Sequence, residues 1–161
     1  MKHKIIIAID TSENSLKAAK YAAGILGSES HVTLYHVFFK LPHRDIQESD
    51  FLPHHHGSFN GSIITDFKKW LAEQRSAVEE AMDKAKKILI EGGLEPQNVK
   101  VKIEERKQGV ARDILNEIKE GGYDTVIVGR RGLSGVKRFF TGSVTAKIMQ
   151  HAENCAVWVV E

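Results

Sequence analysis

"DTVIVGRRGLSGVKRFFTGSV", Asp124–Val144, passes directly from a β-branched apolar run into a glycine-rich basic loop. Between Val128 and Val144 the chain places four glycines and four basic residues, with small hydroxyls among them. The apolar half reads as a central strand covered on both faces, and Gly142–His151 reads as a helix. A strand feeding a helix through such a loop is half of a βαβ unit, so companion units are expected along the rest of the chain.

They are legible. Lys4–Asp10, "KIIIAID", is a second continuous apolar run. Thr11 and Ser12 supply N-cap chemistry, after which Leu16, Ala19, Ala23 and Leu26 recur at helical spacing. His31–Phe39 reads as a strand, and the polar, proline- and glycine-containing segment 40–61 as a long loop. A long helix follows, with Ile64, Phe67, Trp70 or Leu71, Gln74, Val78, Met82, Ala85 and Leu89 on one stripe. Gly92–Gly93 ends it. Val99–Glu105 alternates apolar and charged residues, as a half-covered strand near a sheet edge does. Val110–Lys119 is a short amphipathic helix, and "AVWVV" is a final strand. The order β-α-β-α-β-α-β-α-β predicts an α/β fold: a parallel sheet with helices on both faces and right-handed crossovers.

With 161 residues, 1–161 is expected to form one domain with roughly two-thirds of its unfolded surface buried. An apolar fraction of 42% and a charged fraction of 27% are those of a globular chain. A net charge of +2, with acidic and basic residues interleaved, gives no footprint for a nucleic-acid partner. No apolar run approaches the length of a membrane span, and the start reaches Asp10 too soon for a signal peptide. The one cysteine, Cys155, has no internal disulfide partner, which fits a cytoplasmic location.

In open parallel sheets ligands bind beyond the carboxyl ends of the strands. The loop after Val128 lies there. Glycines at 129, 132 and 142 permit close backbone approach and positive φ. Gly142, Ser143 and Val144 would offer free N–H groups at a helix N-terminus, where the dipole favours an anion. The Ser143 hydroxyl can donate to a phosphate or help ligate a metal ion. Arg130, Arg131, Lys137 and Arg138 raise the local positive potential. These features describe a polyphosphate cradle; the other reading is glycines that merely shape a long turn. Neither Gly-Lys-Ser/Thr nor Gly-x-Gly-x-x-Gly occurs. The spacing present is Gly129-x2-Gly132-x9-Gly142-Ser143.

That spacing, with "KIIIAIDTSENS", "VTLYHV", "GVARDIL", "YDTVIVGRRGLSG" and "HAENCAVWVV" in order, resembles the ATP-binding subgroup of the universal stress protein family. The resemblance implies a five-stranded parallel sheet of order 3-2-1-4-5, the arrangement of adenine nucleotide α-hydrolase-like folds. The first and fourth strands are then neighbours, and Asp10 faces Gly129 across the crevice between them. It implies ATP, or AMP or ADP, as ligand. Gly129, Gly132, Gly142 and Ser143 would hold the phosphates, helped by the Val144 amide and the Thr145 hydroxyl. Asp10 would accept from the ribose hydroxyls or stand near Mg²⁺, with Ser143 as the other metal contact. Ile9 and Thr11 would flank Asp10, Val37 would line the adenine slot, and Val128 would close the nucleoside's far side. Arg130 stands where many relatives carry serine and either touches phosphate or points into solvent. Thr141 and Ala156 depart from a frequent leucine and a frequent proline, but neither is a motif glycine.

The last strand, 156–161, lacks lysine and proline and invites another chain. The resemblance implies an antiparallel homodimer through it. His54–His56 read as a solvated loop rather than a metal site, although the loop can also serve as a lid or dock an unidentified protein partner. His36 reads as packing beside the second strand, Cys155 as a buried inert thiol, and Trp70 as a core or interface residue. The function expected is a nucleotide-dependent stress-response or regulatory module, with at most slow ATP hydrolysis, because no general base is paired with a second catalytic group. The alternatives are a phosphotransferase or ATPase on the same fold, and a structural dimer module with a vestigial pocket.

Overall fold

The computed structural model describes residues 3–38, 62–132 and 141–161. The expected loop at 40–61, with His54–His56, and the basic residues Lys137 and Arg138 lie outside the described residues. The described elements are β1 (Lys4–Ala8), α1 (Glu13–Ile25), β2 (His31–Phe38), α2 (Ser62–Glu91), β3 (Val99–Glu105), α3 (Val110–Gly121), β4 (Thr125–Gly129), α4 (Ser143–His151) and β5 (Ala156–Val160). A 3-10 turn at Pro96–Asn98 leads into β3.

The five strands form one sheet of order β3-β2-β1-β4-β5, and every pairing is parallel. β1 therefore sits at the centre, with Ile5 opposite Val32 of β2 and Thr125 of β4. Its unbroken apolar run follows from this position, because both faces are covered. Ile5, Ile7 and Ile9 pack on one side with Ala18, Ala19 and Ala22 of α1 and with Met82, Ala85 and Leu89 of α2. Ile6 packs on the other with Tyr35, Val37, Val126 and Val128 of the sheet, Ile114 and Ile118 of α3, and Ile148 of α4. Small residues bring α1 and α2 close: a Cβ on Gly92 would stand 2.6 Å from the Ala23 Cβ.

The apolar stripe of α2 is buried from Val78 onward, whereas Trp70 is 47% exposed and stacks on Phe67. Of the two expected places for Trp70, core or interface, the core is therefore excluded within this chain. Helical periodicity reports which residues share a face, but not how far along a thirty-residue helix the rest of the molecule extends. No helix among the described residues is long and apolar enough to cross a membrane.

Candidate functional site

β1 and β4 are neighbours, while α1 and α4 leave their carboxyl ends toward opposite faces of the sheet. This divergence opens a cavity of about 280 Å³. Its wall contains Ile9 and Asp10 beyond β1, Val37 on β2, Val128 and Gly129 on β4, Gly132 in the following loop, and Gly142, Ser143, Val144 and Thr145 at the start of α4. Residues separated by more than a hundred positions in the chain thus line one cavity.

Hydrogen bonds pin the segment after β1 from several directions. The Ile9 N–H donates to the Tyr35 carbonyl at 2.9 Å. The Ser15 hydroxyl lies 2.7 Å from the Asp10 carbonyl, and the Ser12 N–H donates to Asp10 Oδ1 at 2.9 Å. The Ser12 hydroxyl reaches the same carboxylate oxygen and also caps α1 through the Ser15 N–H. Asp10 is therefore oriented by a turn of its own making. His36 Nδ1 stands 2.7 Å from the Ile9 carbonyl. A carbonyl only accepts, so Nδ1 carries the proton. Burial lowers the His36 pKa below the ordinary histidine value, against the Ile9 hydrogen bond and the Asp10 charge, which raise it. The downward shift favours the neutral ring, in which Nε2 carries no proton.

On the β4 side, the Thr145 hydroxyl donates to the Gly129 carbonyl at 2.8 Å and joins the end of the strand to the first turn of α4. Its proton is therefore engaged within the protein, a different position from the expected donor to phosphate. Gly142 is the N-cap of α4 and makes no side-chain cap. The first intrahelical bond runs from Ala146 to the Gly142 carbonyl. The Ser143, Val144 and Thr145 amides consequently lie in the first turn, ahead of any intrahelical acceptor.

The cradle glycines serve close approach rather than unusual φ. Positive-φ glycines among the described residues are Gly93, Gly109 and Gly122, none of them in the motif. A Cβ on Gly129 would stand 2.9 Å from the Asn14 carbonyl oxygen, and one on Gly132 would stand 2.6 Å from Asp10 Oδ2. The expectation of positive φ is corrected at these sites; close approach is what favours glycine, to the Asn14 backbone at Gly129 and to the Asp10 carboxylate at Gly132.

Two expected residues stand outside the wall. Thr11 is exposed and absent from the cavity lining. Arg130 is turned toward β5: its N–H donates to the Val160 carbonyl at 2.7 Å, and its guanidinium pairs with Glu161 at 2.5 Å. Conversely, Tyr35, His36, Val110, Ile114 and Ser15 line the cavity without having been assigned to it, and Arg131, expected only as one of four sources of positive potential, lines it too. Period-two alternation from Val37 points to Tyr35, and i, i+4 spacing joins Val110 to Ile114. Nothing local distinguishes Arg131 from Arg130.

A family model described as "Universal stress protein family" matches residues 62–161. The chain belongs to the universal stress protein family. Universal stress protein YxiE of Bacillus subtilis is 29% identical to it over 163 residues, covering 99% of each chain. Among solved structures, universal stress protein UspA from Lactobacillus plantarum superposes with a TM-score of 0.71 at 19% identity, covering 99% of this chain and 97% of its own. An Arabidopsis thaliana family protein with AMP bound superposes with a TM-score of 0.62 at 17% identity, covering 98% and 90%. At such identities the superpositions speak for the shared fold alone.

Among the described residues no group of three or more His, Cys, Asp and Glu is arranged to hold a metal ion. Cys155 is half-buried, and desolvation followed by the Asp124 charge raises its thiol pKa, as for an unreactive cysteine.

Proposed function

We propose that this universal stress protein binds an adenine nucleotide, ATP foremost, in the cavity between β1 and β4, and acts as a regulatory module whose shape or partner depends on occupancy. One observation carries the reading: Gly132 approaches Asp10 so closely that an added Cβ would stand 2.6 Å from Oδ2, which brings the glycine loop against the acidic group from β1. Nucleotides ask for this pairing. Amides and glycines suit the phosphates, and a fixed carboxylate suits the ribose hydroxyls. The apolar wall of Val37, Val110, Ile114 and Val128 suits a base. The AMP held by the Arabidopsis relative supports the same class of ligand.

Magnesium fits as an ion that arrives with the phosphates. It is commonly held by one or two carboxylates plus substrate oxygens, and the wall contains the Asp10 carboxylate, with the Ser143 hydroxyl as a further oxygen. When bound it would neutralise phosphate charge. Asp10 would be offered to it by the Ser12 turn, and Ser143 by the first turn of α4.

Dimerisation through 156–161 belongs to the same proposal. β5 is an edge strand, and Val159 within it is 38% exposed.

Calorimetric titration with ATP, AMP and adenosine at fixed Mg²⁺ tests the binding. Saturable heat with ATP, lost in Gly132→Val, is expected; no heat from any of the three at millimolar ligand refutes the reading.

A further inference from the structure

We propose that Arg131, rather than the neighbouring Arg130, is the cationic anchor for the phosphate chain; this rests on the reading that the cavity takes a nucleotide. Arg131 lines the cavity, and its Nε is buried with no hydrogen-bond partner. It is the one buried side-chain nitrogen or oxygen left in that condition among the described residues. A guanidinium N–H shut away from water and offered no acceptor is costly, and a charged donor more so than a neutral one. Native proteins keep such a group where a partner completes it.

The backbone around Arg131 is fixed independently of any ligand. Its carbonyl accepts from Asn14 Nδ2 at 3.1 Å, which ties the loop to α1. The Gly142 N–H donates to the adjacent Arg130 carbonyl at 2.9 Å. A Cβ built on Gly142 would stand 3.4 Å from the Arg131 Cα. Arg131 therefore starts its side chain beside the first turn of α4, where backbone amides already favour an anion. The acceptor that fits is a phosphate oxygen: a planar, permanently charged fork reads phosphate with more than one N–H.

Arg130 is committed elsewhere. Its N–H and guanidinium both face the end of β5, at Val160 and Glu161. Two adjacent arginines thus divide the work, one fastening the loop to the sheet edge and one facing the cavity.

Binding of ATP, AMP, adenosine and inorganic tripolyphosphate to the wild type, R131Q, R131K and R130Q tests this by calorimetry. R131Q is expected to weaken ATP and tripolyphosphate roughly 10- to 100-fold and to change adenosine by less than about twofold. AMP should lose less than ATP, R131K should fall between wild type and R131Q, and R130Q should bind ATP like the wild type. Thermal melts matching the wild type establish that R131Q is folded; if it is not, the R131K series carries the comparison. Equal losses for ATP and adenosine would overturn the anchor, as would wild-type ATP affinity in R131Q; the nucleotide reading survives both. Tripolyphosphate binding that R131Q loses, with no binding of any adenine compound, keeps the anchor and sinks the nucleotide reading. A wild type that binds none of the four ends both.

Discussion

Gly129 and Gly132 stand three positions apart in the chain, yet an added methyl group would meet different obstacles at each. At Gly129 the obstacle is the backbone carbonyl of Asn14, which belongs to α1 and cannot yield without moving the helix. At Gly132 it is the Asp10 carboxylate, the end of a side chain. We therefore expect Gly129→Ala to lower stability by about 1–3 kcal/mol in urea denaturation, the range for overpacked sites. Gly132→Ala should cost less than about 1 kcal/mol, because a side-chain carboxylate can shift, yet weaken ATP about tenfold by displacing Asp10. A reversed order, with Gly132→Ala the less stable and the better binder, would mean that the two glycines have been given each other's roles. Both were legible in the spacing of the motif. What spacing could not convey is that each answers to a neighbour from the other end of the chain.

At the scale of one element, the start of α3 decides where Val110 and Ile114 meet the cavity. Asp113 organises it: its carboxylate accepts from the Lys107 N–H at 2.9 Å, the Gln108 N–H at 3.0 Å and the Gly109 N–H at 3.4 Å. Burial alone would raise its pKa, but these backbone donors and the Lys107 charge outweigh it, and the net shift is downward. The sign follows. A carboxylate with a depressed folded pKa contributes stability that is fully present above the unfolded value, near 3.9, and is lost as pH falls through the folded one. We expect Asp113→Asn to unfold at lower urea than the wild type at pH 7, by about 1–3 kcal/mol. The difference should shrink as pH falls below about 4. A gap that stays constant down to pH 2 would show that ionisation of Asp113 does not contribute. The helix itself was legible from its apolar spacing, but the capping carboxylate was not. Asp113 sits in the first turn, where any acidic residue is ordinary, and only the folded loop reveals that it closes back on three amides.

For the whole molecule, the sheet order leaves two edges, β3 and β5. β3 carries Lys100, Lys102, Glu104 and Glu105, charges that discourage another strand. β5 is "AVWVV", with Trp158 and Val160 packed toward the α1 side and Val157 toward the α3 side. On the proposed dimer, a lysine at Val159 places a charge in an interface repeated by two-fold symmetry, so it counts twice. Val159→Lys should sediment as a monomer at concentrations where the wild type is a dimer. Identical sedimentation of the two chains would exclude pairing along this edge. Because Arg130 and Glu161 join the glycine loop to the end of β5, such a variant should still bind ATP if the pocket is complete within one chain.

The amino-acid sequence by itself determined the class of fold and the end of the sheet where the glycine loop lies; the strand order that sets the cavity between β1 and β4 was implied by the family resemblance. Strand and helix periods are local properties, and alternation of the two admits little except a parallel sheet with its crevice beyond the strand ends. The glycine spacing likewise singled out the loop that enters it. The tertiary structure alone decided which groups face the crevice. Arg130 and Arg131 are the same residue at adjacent positions, and their chemistry in the chain is indistinguishable. They separate because Val160 and Glu161 lie along one side of the loop and the first turn of α4 lies along the other. Tyr35 and His36 reach the wall for a similar reason: parallel pairing sets Ala8 beside Tyr35, a register that only the assembled sheet specifies.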